Sequence, residues 1–170
     1  RLVGAAIVNP GTLLVTVADR RIDLDIVGGG HWTIPVGPVS LDERELERAD
    51  RPAPEQLPNA LGIVIDHLDD VVRESPMVLA APDVMIVGSH AIVVARVELG
   101  VDEVPTDYRL SRPDADEVFR TLVAEPVAER VHNPGLPDHA ARTVIGALCC
   151  ILAVMRRLEL GAVGIAASER

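Results

Sequence analysis

The sequence predicts a mixed α/β fold whose sheet is antiparallel at its start and parallel later. The first forty residues alternate apolar runs with turn-forming clusters, which is typical of antiparallel strands. Helical patterns then alternate with short apolar runs such as VMIVG at 84–88, which is typical of a strand buried on both faces. A length of 170 residues suits a single domain spanning 1–170.

The opening segment is predicted to form a meander of strands joined by NPGT, DRR and GGG turns. The strands are Leu2–Val8, Leu13–Ala18, Ile22–Val27 and His31–Val36. Ser40 as N-cap and Glu43 three residues later form a capping box, which predicts a short helix through Glu47. The proline-rich segment 50–58 predicts an extended connector.

The rest of the chain is predicted to be mainly helical. Helices are expected over 59–74, 89–99, 114–125 and 138–158, with a further helical piece ending at Arg130. The pattern at 89–99 also fits a strand, although a helix is favoured. Residues 108–111 predict an extended link in which Ser111 caps the helix that follows, and 163–167 predict a final strand.

Composition excludes several classes of function. The net charge of −10 disfavours nucleic acid and anionic membranes, which are bound through clustered cations. All cations are arginine, which indicates a high-GC bacterial genome. The apolar run 144–155 is too short to span a bilayer, and Cys149 and Cys150 inside it are interpreted as core residues. We therefore expect a cytoplasmic chain and, because it begins with Arg1, an excised domain or processed product.

No catalytic or metal-binding group can be assigned from spacing alone. The acidic cluster in the second predicted helix is interpreted as a solvated face rather than a divalent-metal site. That cluster is Asp66, Asp69 and Asp70. Four histidines lack the spacing of metal ligands. They are His31, His67, His132 and His139. Catalytic residues therefore stay unassigned.

Three segments resemble, in order, the second lobe of the exopolyphosphatase/guanosine-pentaphosphate phosphatase (Ppx/GppA) family. IPVGPVSL at 34–41 resembles the family's L-P-L-G-x-x-x-L segment. The segment 82–97 resembles the family's apolar strand, which is followed by a Gly-Thr-Gly-Gly-Thr-type turn. The segment 130–160 resembles its G-L-x-x-x-R-A-D…G-A helix, although the acid is missing near His139-Ala140-Ala141. The resemblance implies an actin/Hsp70-like (ribonuclease H-like) lobe.

The resemblance also implies a function, namely phosphoanhydride hydrolysis of the exopolyphosphatase type. Water would attack a terminal phosphate in line, with Mg²⁺ in the intact two-lobed protein. The general base would belong to a first lobe, so this chain alone is expected to be inactive and to need no cofactor. Candidate partners are that first lobe, a polyphosphate or nucleotide ligand, and a second copy in a homodimer. The alternative is a non-catalytic binding or regulatory pseudoenzyme lobe.

The family's phosphate loop, D-I-G-G-G-S, falls on residues 7–12 when the later segments are kept in register. Its aspartate is replaced by Ile7 and its central glycine by Pro10, which removes one N–H donor. Asn9, Gly11 and Thr12 remain candidate phosphate donors. Pro-Gly also suits a type II turn, so a plain hairpin is the favoured interpretation.

A second segment could supply the phosphate loop, and a separate pair of residues could also contact the phosphate. In a competing register the loop is LDIVGGGHW at 24–32, with Asp25 as the acid and His31 at its end, but few residues remain before IPVG. Gly88 and Ser89 keep a glycine and a hydroxyl where the family approaches a phosphate. His90 is open to a role as ligand or acid–base group, or as an ordinary helix-start histidine.

Overall fold

The computed structural model describes residues 2–3 and 6–168, with side chains from residue 8 onward. Strands β1 to β8 are Leu2–Val3, Ala6–Ile7, Leu13–Val17, Ile22–Ile26, His31–Ile34, Val84–Val87, Arg109–Ser111 and Ala162–Ala166. Helices α1 to α6 are Pro38–Glu43, Gln56–Glu74, Ser89–Leu99, Arg112–Val123, Val127–Arg130 and Val144–Arg157. Short 3₁₀ turns occupy Pro76–Ala80 and Asp138–Ala140.

The main sheet has six strands in the order β5-β4-β3-β6-β8-β7. β3, β4 and β5 form an antiparallel meander, while β6 pairs in parallel with β3 and with β8. The short edge strand β7 runs antiparallel to β8. This arrangement confirms the predicted mixed sheet, which is antiparallel at its start and parallel later.

Helix α6 forms the centre of the core on one face of the sheet. Every residue from Val144 to Met155 is buried, and α1, α2, α3 and α4 all pack against this helix. Cys149 and Cys150 are fully buried among apolar side chains, as predicted. Burial raises the pKa of the Cys149 thiol to about 12, so this cysteine stays a protonated core residue at physiological pH. No helix in the described part of the chain is long and apolar enough to cross a membrane.

The opening segment differs from the prediction of one strand over 2–8. Two short strands, β1 and β2, pair with each other, with Leu2 opposite Ile7. The NPGT turn therefore connects two sheets and does not close a hairpin, because both edges of β3 are already paired with β4 and β6. The predicted hairpin across residues 9–12 is wrong, although the turn itself is present.

Three helix starts also differ from the sequence prediction. Helix α2 begins at Gln56, so the last residues of the segment 50–58, which was predicted to be extended, are helical. Helix α1 begins at Pro38, a favoured first position, and Ser40 lies inside it, where its Oγ accepts from the Gly37 N–H at 2.8 Å. The prediction of Ser40 as N-cap is therefore wrong, and the helix ends at Glu43 and does not reach Glu47. The helix that was predicted from Asp138 begins only at Val144. The Ala141 carbonyl accepts a hydrogen bond at 2.8 Å from the buried guanidinium of Arg130, and this bond competes with a helical one.

Candidate functional site

A cleft of about 560 Å³ opens at the carboxyl ends of the parallel strands β3 and β6. One wall is the hairpin turn Ala18–Arg21, closed by the Ala18 N–H, which donates to the Arg21 carbonyl at 3.0 Å. The other wall is the start of α3. The lining consists of Thr16, Val17, Ala18, Asp19, Arg20, Arg21, Gly88, Ser89, His90 and Ser168.

Gly88 brings the start of α3 against the end of β3. Its φ of +117° is unfavourable for other residues, and a Cβ here would lie 3.0 Å from the Val17 carbonyl oxygen. Its N–H donates to the Ala166 carbonyl at 3.0 Å, and its own carbonyl accepts the first helical hydrogen bond from Ile92. The next N–H groups of the first turn have no partner within the helix, so the wall presents donors and a positive dipole end.

Gly37 allows α1 to pack directly on the back of the hairpin. A Cβ at Gly37 would lie 2.4 Å from the Ala18 carbonyl oxygen, and the Val39 N–H donates to the Asp19 carbonyl at 2.8 Å. Gly146 in α6 makes a second close approach, since its Cβ would lie 2.4 Å from the Pro38 carbonyl oxygen. The glycine of the IPVG segment therefore serves to position the cleft wall.

The histidine and one carboxylate of the cleft are hydrogen-bonded to each other. His90 Nε2 lies 2.7 Å from Asp19 Oδ1, with the His90 side chain 13% exposed and the Asp19 side chain 73% exposed. This contact joins the tip of the hairpin to the first turn of α3. His90 is therefore a helix-start residue with a specific partner across the cleft.

Both arginines of the hairpin are paired with carboxylates outside the cleft lining. Arg20 donates from both terminal nitrogens to Glu43 at 2.8 Å each, and Arg21 Nε donates to Asp23 at 3.0 Å. The Arg20 hydrogen bond holds the pKa of the Glu43 carboxyl below its usual value, and the same bond raises the pKa of Arg20. An anion in the cleft must therefore compete with these carboxylates for the guanidinium groups.

Of the five predicted phosphate-site residues, Gly88 and Ser89 line the cleft. Asn9, Gly11 and Thr12 lie at the opposite end of β3, roughly 13 Å away for a five-residue strand. The Gly11 N–H donates to the Val27 carbonyl at 2.9 Å, and the Thr12 N–H to the Asn9 carbonyl at 3.2 Å. The latter bond and a Gly11 φ of +86° fit the predicted type II turn. The two candidate groups do not come together.

The competing loop at 25–31 also lies at that opposite end. Asp25 and His31 are cross-strand partners in β4 and β5, and their side chains approach to 2.6 Å. The Ile26 N–H donates to the Gly30 carbonyl at 2.9 Å, which closes the glycine-rich segment as an ordinary hairpin. Neither predicted loop therefore faces Gly88.

The sequence correctly predicted the DRR turn but did not indicate that it forms a wall of the cleft, because the turn contains no glycine. One available signal was topological. If the strand over 13–18 pairs in parallel with VMIVG at 84–88, the turn after the first strand must face the helix that follows Gly88. The two glycine-containing turns that resemble a phosphate loop lie instead at the opposite end of the meander.

The residues present do not form a protein-held magnesium site. In the described part of the chain, no three His, Cys, Asp or Glu side chains converge on a point that could hold a metal ion. The cleft lining contains one carboxylate, Asp19, which is already hydrogen-bonded to His90. A single exposed carboxylate supplies one of the six oxygen ligands that Mg²⁺ requires, so we derive no catalytic step through a metal on this chain.

Solved structures with the same fold include members of the Ppx/GppA group. A Ppx/GppA phosphatase from Aquifex aeolicus is 14% identical with a TM-score of 0.78, and the match covers 92% of this chain and 53% of that one. An exopolyphosphatase-like protein is 20% identical with a TM-score of 0.80, over 98% and 60% of the two chains. An exopolyphosphatase from Cytophaga hutchinsonii is 17% identical with a TM-score of 0.66, over 93% and 53%.

These similarities establish an actin-like fold and confirm the predicted fold class. The chain spans between 53% and 60% of the length of those three structures. No protein-family model matches the sequence, and no curated protein does. The relationship is therefore one of structure, at sequence identities of 20% and below.

Proposed function

We propose that the chain is the second lobe of a two-lobed Ppx/GppA-type phosphatase, and that its cleft binds the phosphate groups of a polyphosphate or nucleotide ligand. Hydrolysis of a phosphoanhydride bond would then require the other lobe. We place the chain in the cytoplasm, and its net charge of −10 supports a role without nucleic acid or anionic membrane partners.

The observation that carries the proposal is the position of the cleft. It lies at the carboxyl ends of two parallel strands, between a hairpin turn and a helix start, which is where open α/β sheets bind ligands. The donors needed for an anion are present there, because the first turn of α3 presents N–H groups and the hairpin carries Arg20 and Arg21.

On this chain the residues around the cleft would bind and orient the ligand. Arginines and helix N–H groups can hold non-bridging phosphate oxygens and stabilise the charge that develops when water attacks in line. Mg²⁺ would neutralise ligand phosphates when the complete protein binds it. The general base would come from the first lobe, so the 170-residue chain should release no phosphate by itself.

A non-catalytic binding lobe is the second candidate, and one observation favours it. The hairpin Ala18–Arg21 has a Cβ at every position, and its Ala18 N–H is used in closing the turn. A glycine loop wraps a phosphate because its bare backbone N–H groups can converge on the anion. This hairpin cannot do so in the same way, and it would bind through side chains.

The first test separates these two functions. Phosphate release from polyphosphate with Mg²⁺ is measured for the full-length protein and for the 170-residue chain, and binding of polyphosphate, ppGpp and ATP is measured by calorimetry. Turnover by the full-length protein supports the phosphatase. Binding without turnover supports the regulatory lobe. Absence of both, with all three ligands, contradicts the proposal.

A further inference from the structure

We infer that Arg20 is an exchangeable anion ligand, which bonds Glu43 in the structure and moves to the ligand's phosphoryl oxygens when the cleft is occupied. The inference rests on the proposed phosphate-binding function of the cleft and specifies which side chain controls affinity. It also predicts that Glu43, which lies outside the cleft lining, weakens phosphate binding by competing for Arg20.

The geometry of the Arg20–Glu43 pair matches that of an arginine–phosphate contact. Both terminal nitrogens of Arg20 donate to the two carboxylate oxygens at 2.8 Å, which is the fork arrangement that guanidinium also forms with phosphate. The Arg20 side chain is 59% exposed and lines the cleft, while the Glu43 side chain is 28% exposed and belongs to α1. The guanidinium can therefore turn toward the cleft without leaving a buried site.

Glu43 has a second cation available when Arg20 leaves. The Arg48 guanidinium lies 3.5 Å from Glu43 Oε1, and its side chain is 67% exposed. A partly covered carboxylate that lost its only cation would oppose the exchange, because its charge would be left without compensation. With Arg48 already in contact, Glu43 keeps a neighbouring cation when Arg20 exchanges its two carboxylate bonds for bonds to phosphoryl oxygens.

Arg21 lacks this arrangement, although it also lines the cleft. It donates a single bond from Nε to Asp23, and the other oxygen of Asp23 accepts from the Thr33 hydroxyl at 2.8 Å. The structure shows no second cation in contact with Asp23 among the described side chains. Arg21 is thus expected to stay bonded to Asp23 of β4, so the two neighbouring arginines have different roles.

The first experiment removes the competitor. Glu43→Gln keeps the shape of the side chain but loses the charge, so calorimetry should show polyphosphate bound about two- to fivefold more tightly than by the wild-type chain. Asp70→Asn is the matched control, because Asp70 forms an exposed ion pair with Arg73 on α2 and lies outside the cleft lining. It makes the same change in net charge and should leave affinity unchanged.

The second experiment removes the guanidinium group of Arg20, which is proposed to bind the phosphate. Arg20→Ala should weaken polyphosphate binding about tenfold or more, since a charge-assisted bidentate contact is lost, whereas Arg73→Ala should have no effect. Circular dichroism and urea unfolding establish that each variant is folded.

The outcomes separate this inference from the proposed function. If the wild-type chain binds polyphosphate but Glu43→Gln and Arg20→Ala bind as it does, the exchange is wrong and the phosphate-binding function stands. If no folded variant binds, including Glu43→Gln, both are wrong. Tighter binding by Glu43→Gln together with weaker binding by Arg20→Ala supports both.

Discussion

The two ends of strand β3 both carry a turn, and the two turns differ in sequence and in what they face. The NPGT turn before the strand has a flexible glycine and small polar residues, yet its Gly11 and Thr12 N–H groups donate to carbonyls within the protein. The Ala18–Arg21 turn after the strand has no glycine, yet it faces the start of α3 across a cleft. Position in the sheet, more than glycine content, decides which turn can meet an anion.

This difference follows from strand direction. The carboxyl ends of the parallel strands β3 and β6 lie at the same edge of the sheet, so the turn after β3 and the helix after β6 must meet there. The amino ends meet at the other edge, where a Cβ on Gly11 would lie 3.7 Å from the Pro82 side chain. A glycine-rich turn at that edge connects strands and has no helix start to cooperate with.

The largest expected effect comes from adding one methyl group behind the carboxyl-end hairpin. In Gly37→Ala the new Cβ would lie 2.4 Å from the Ala18 carbonyl oxygen and 2.5 Å from that of Asp19. Backbone atoms cannot move aside as a flexible side chain can, so we expect a loss of roughly 3 kcal/mol in unfolding free energy. Urea denaturation measures this loss.

Gly62→Ala is the control for that substitution. Gly62 lies in α2 with no atom within 4 Å of an added Cβ, so alanine should stabilise the helix by about 0.5–1 kcal/mol. Equal unfolding free energies for the Gly37 and Gly62 variants would show that α1 does not hold the hairpin as described.

A smaller effect is expected at the amino end. In Gly11→Ala the new Cβ would lie 3.7 Å from Pro82, which is an ordinary contact. The loss of unfolding free energy should therefore come from the φ of +86° and be about 1–2 kcal/mol. Polyphosphate affinity should equal that of the wild type, because the turn lies away from the cleft. If the folded variant instead bound polyphosphate more weakly, this result would indicate that the phosphate site includes residues 9–12.

The smallest expected effect is a pH dependence of folding stability that arises from Glu43, the partner of the hairpin at the carboxyl end of β3. Arg20 lowers the pKa of Glu43 in the folded chain from its ordinary value of 4.5, so this carboxylate stabilises the fold above that pH. The stabilisation is lost as the pH falls through the lowered value. The stability difference between wild type and Glu43→Gln should therefore shrink in acid, as followed by thermal unfolding from pH 7 to 3.

The neighbouring Asp42 gives a contrast of opposite sign. Burial raises the pKa of Asp42, so its ionised form opposes folding and protonation removes that penalty as the pH falls. Wild type should therefore gain stability relative to Asp42→Asn in acid. The same slope for both variants would contradict the assigned environments of these two adjacent carboxyls.

Much of the fold could be predicted because local patterns and tertiary structure agree. The apolar stripe of α2, the strand ending at Gly88 and the apolar run of α6 all form the elements that their periodicity indicates. Ser111 caps α4 by accepting from the Asp114 N–H, as expected for serine before a helical run.

The candidate site was only partly predictable, since it depends on pairing between distant segments. Gly88 and Ser89, which line the cleft, were predicted from the resemblance, in which a glycine and a hydroxyl follow an apolar strand. The pairing of Arg20 with Glu43, 23 residues later, and of Asp19 with His90, 71 residues later, has no local pattern. The buried Arg130, which bonds only backbone carbonyls, is likewise invisible until the segments are assembled.

The central position of α6 sets the order in which the molecule can be completed during synthesis. The helices that surround it and the strands that form the cleft all precede residue 144 in the chain. Until α6 leaves the ribosome, α1, α2, α3 and α4 lack the surface on which they pack, and β8 has not yet joined β6. The cleft, whose lining runs from Thr16 to Ser168, is therefore completed only after α6 and β8 have been translated.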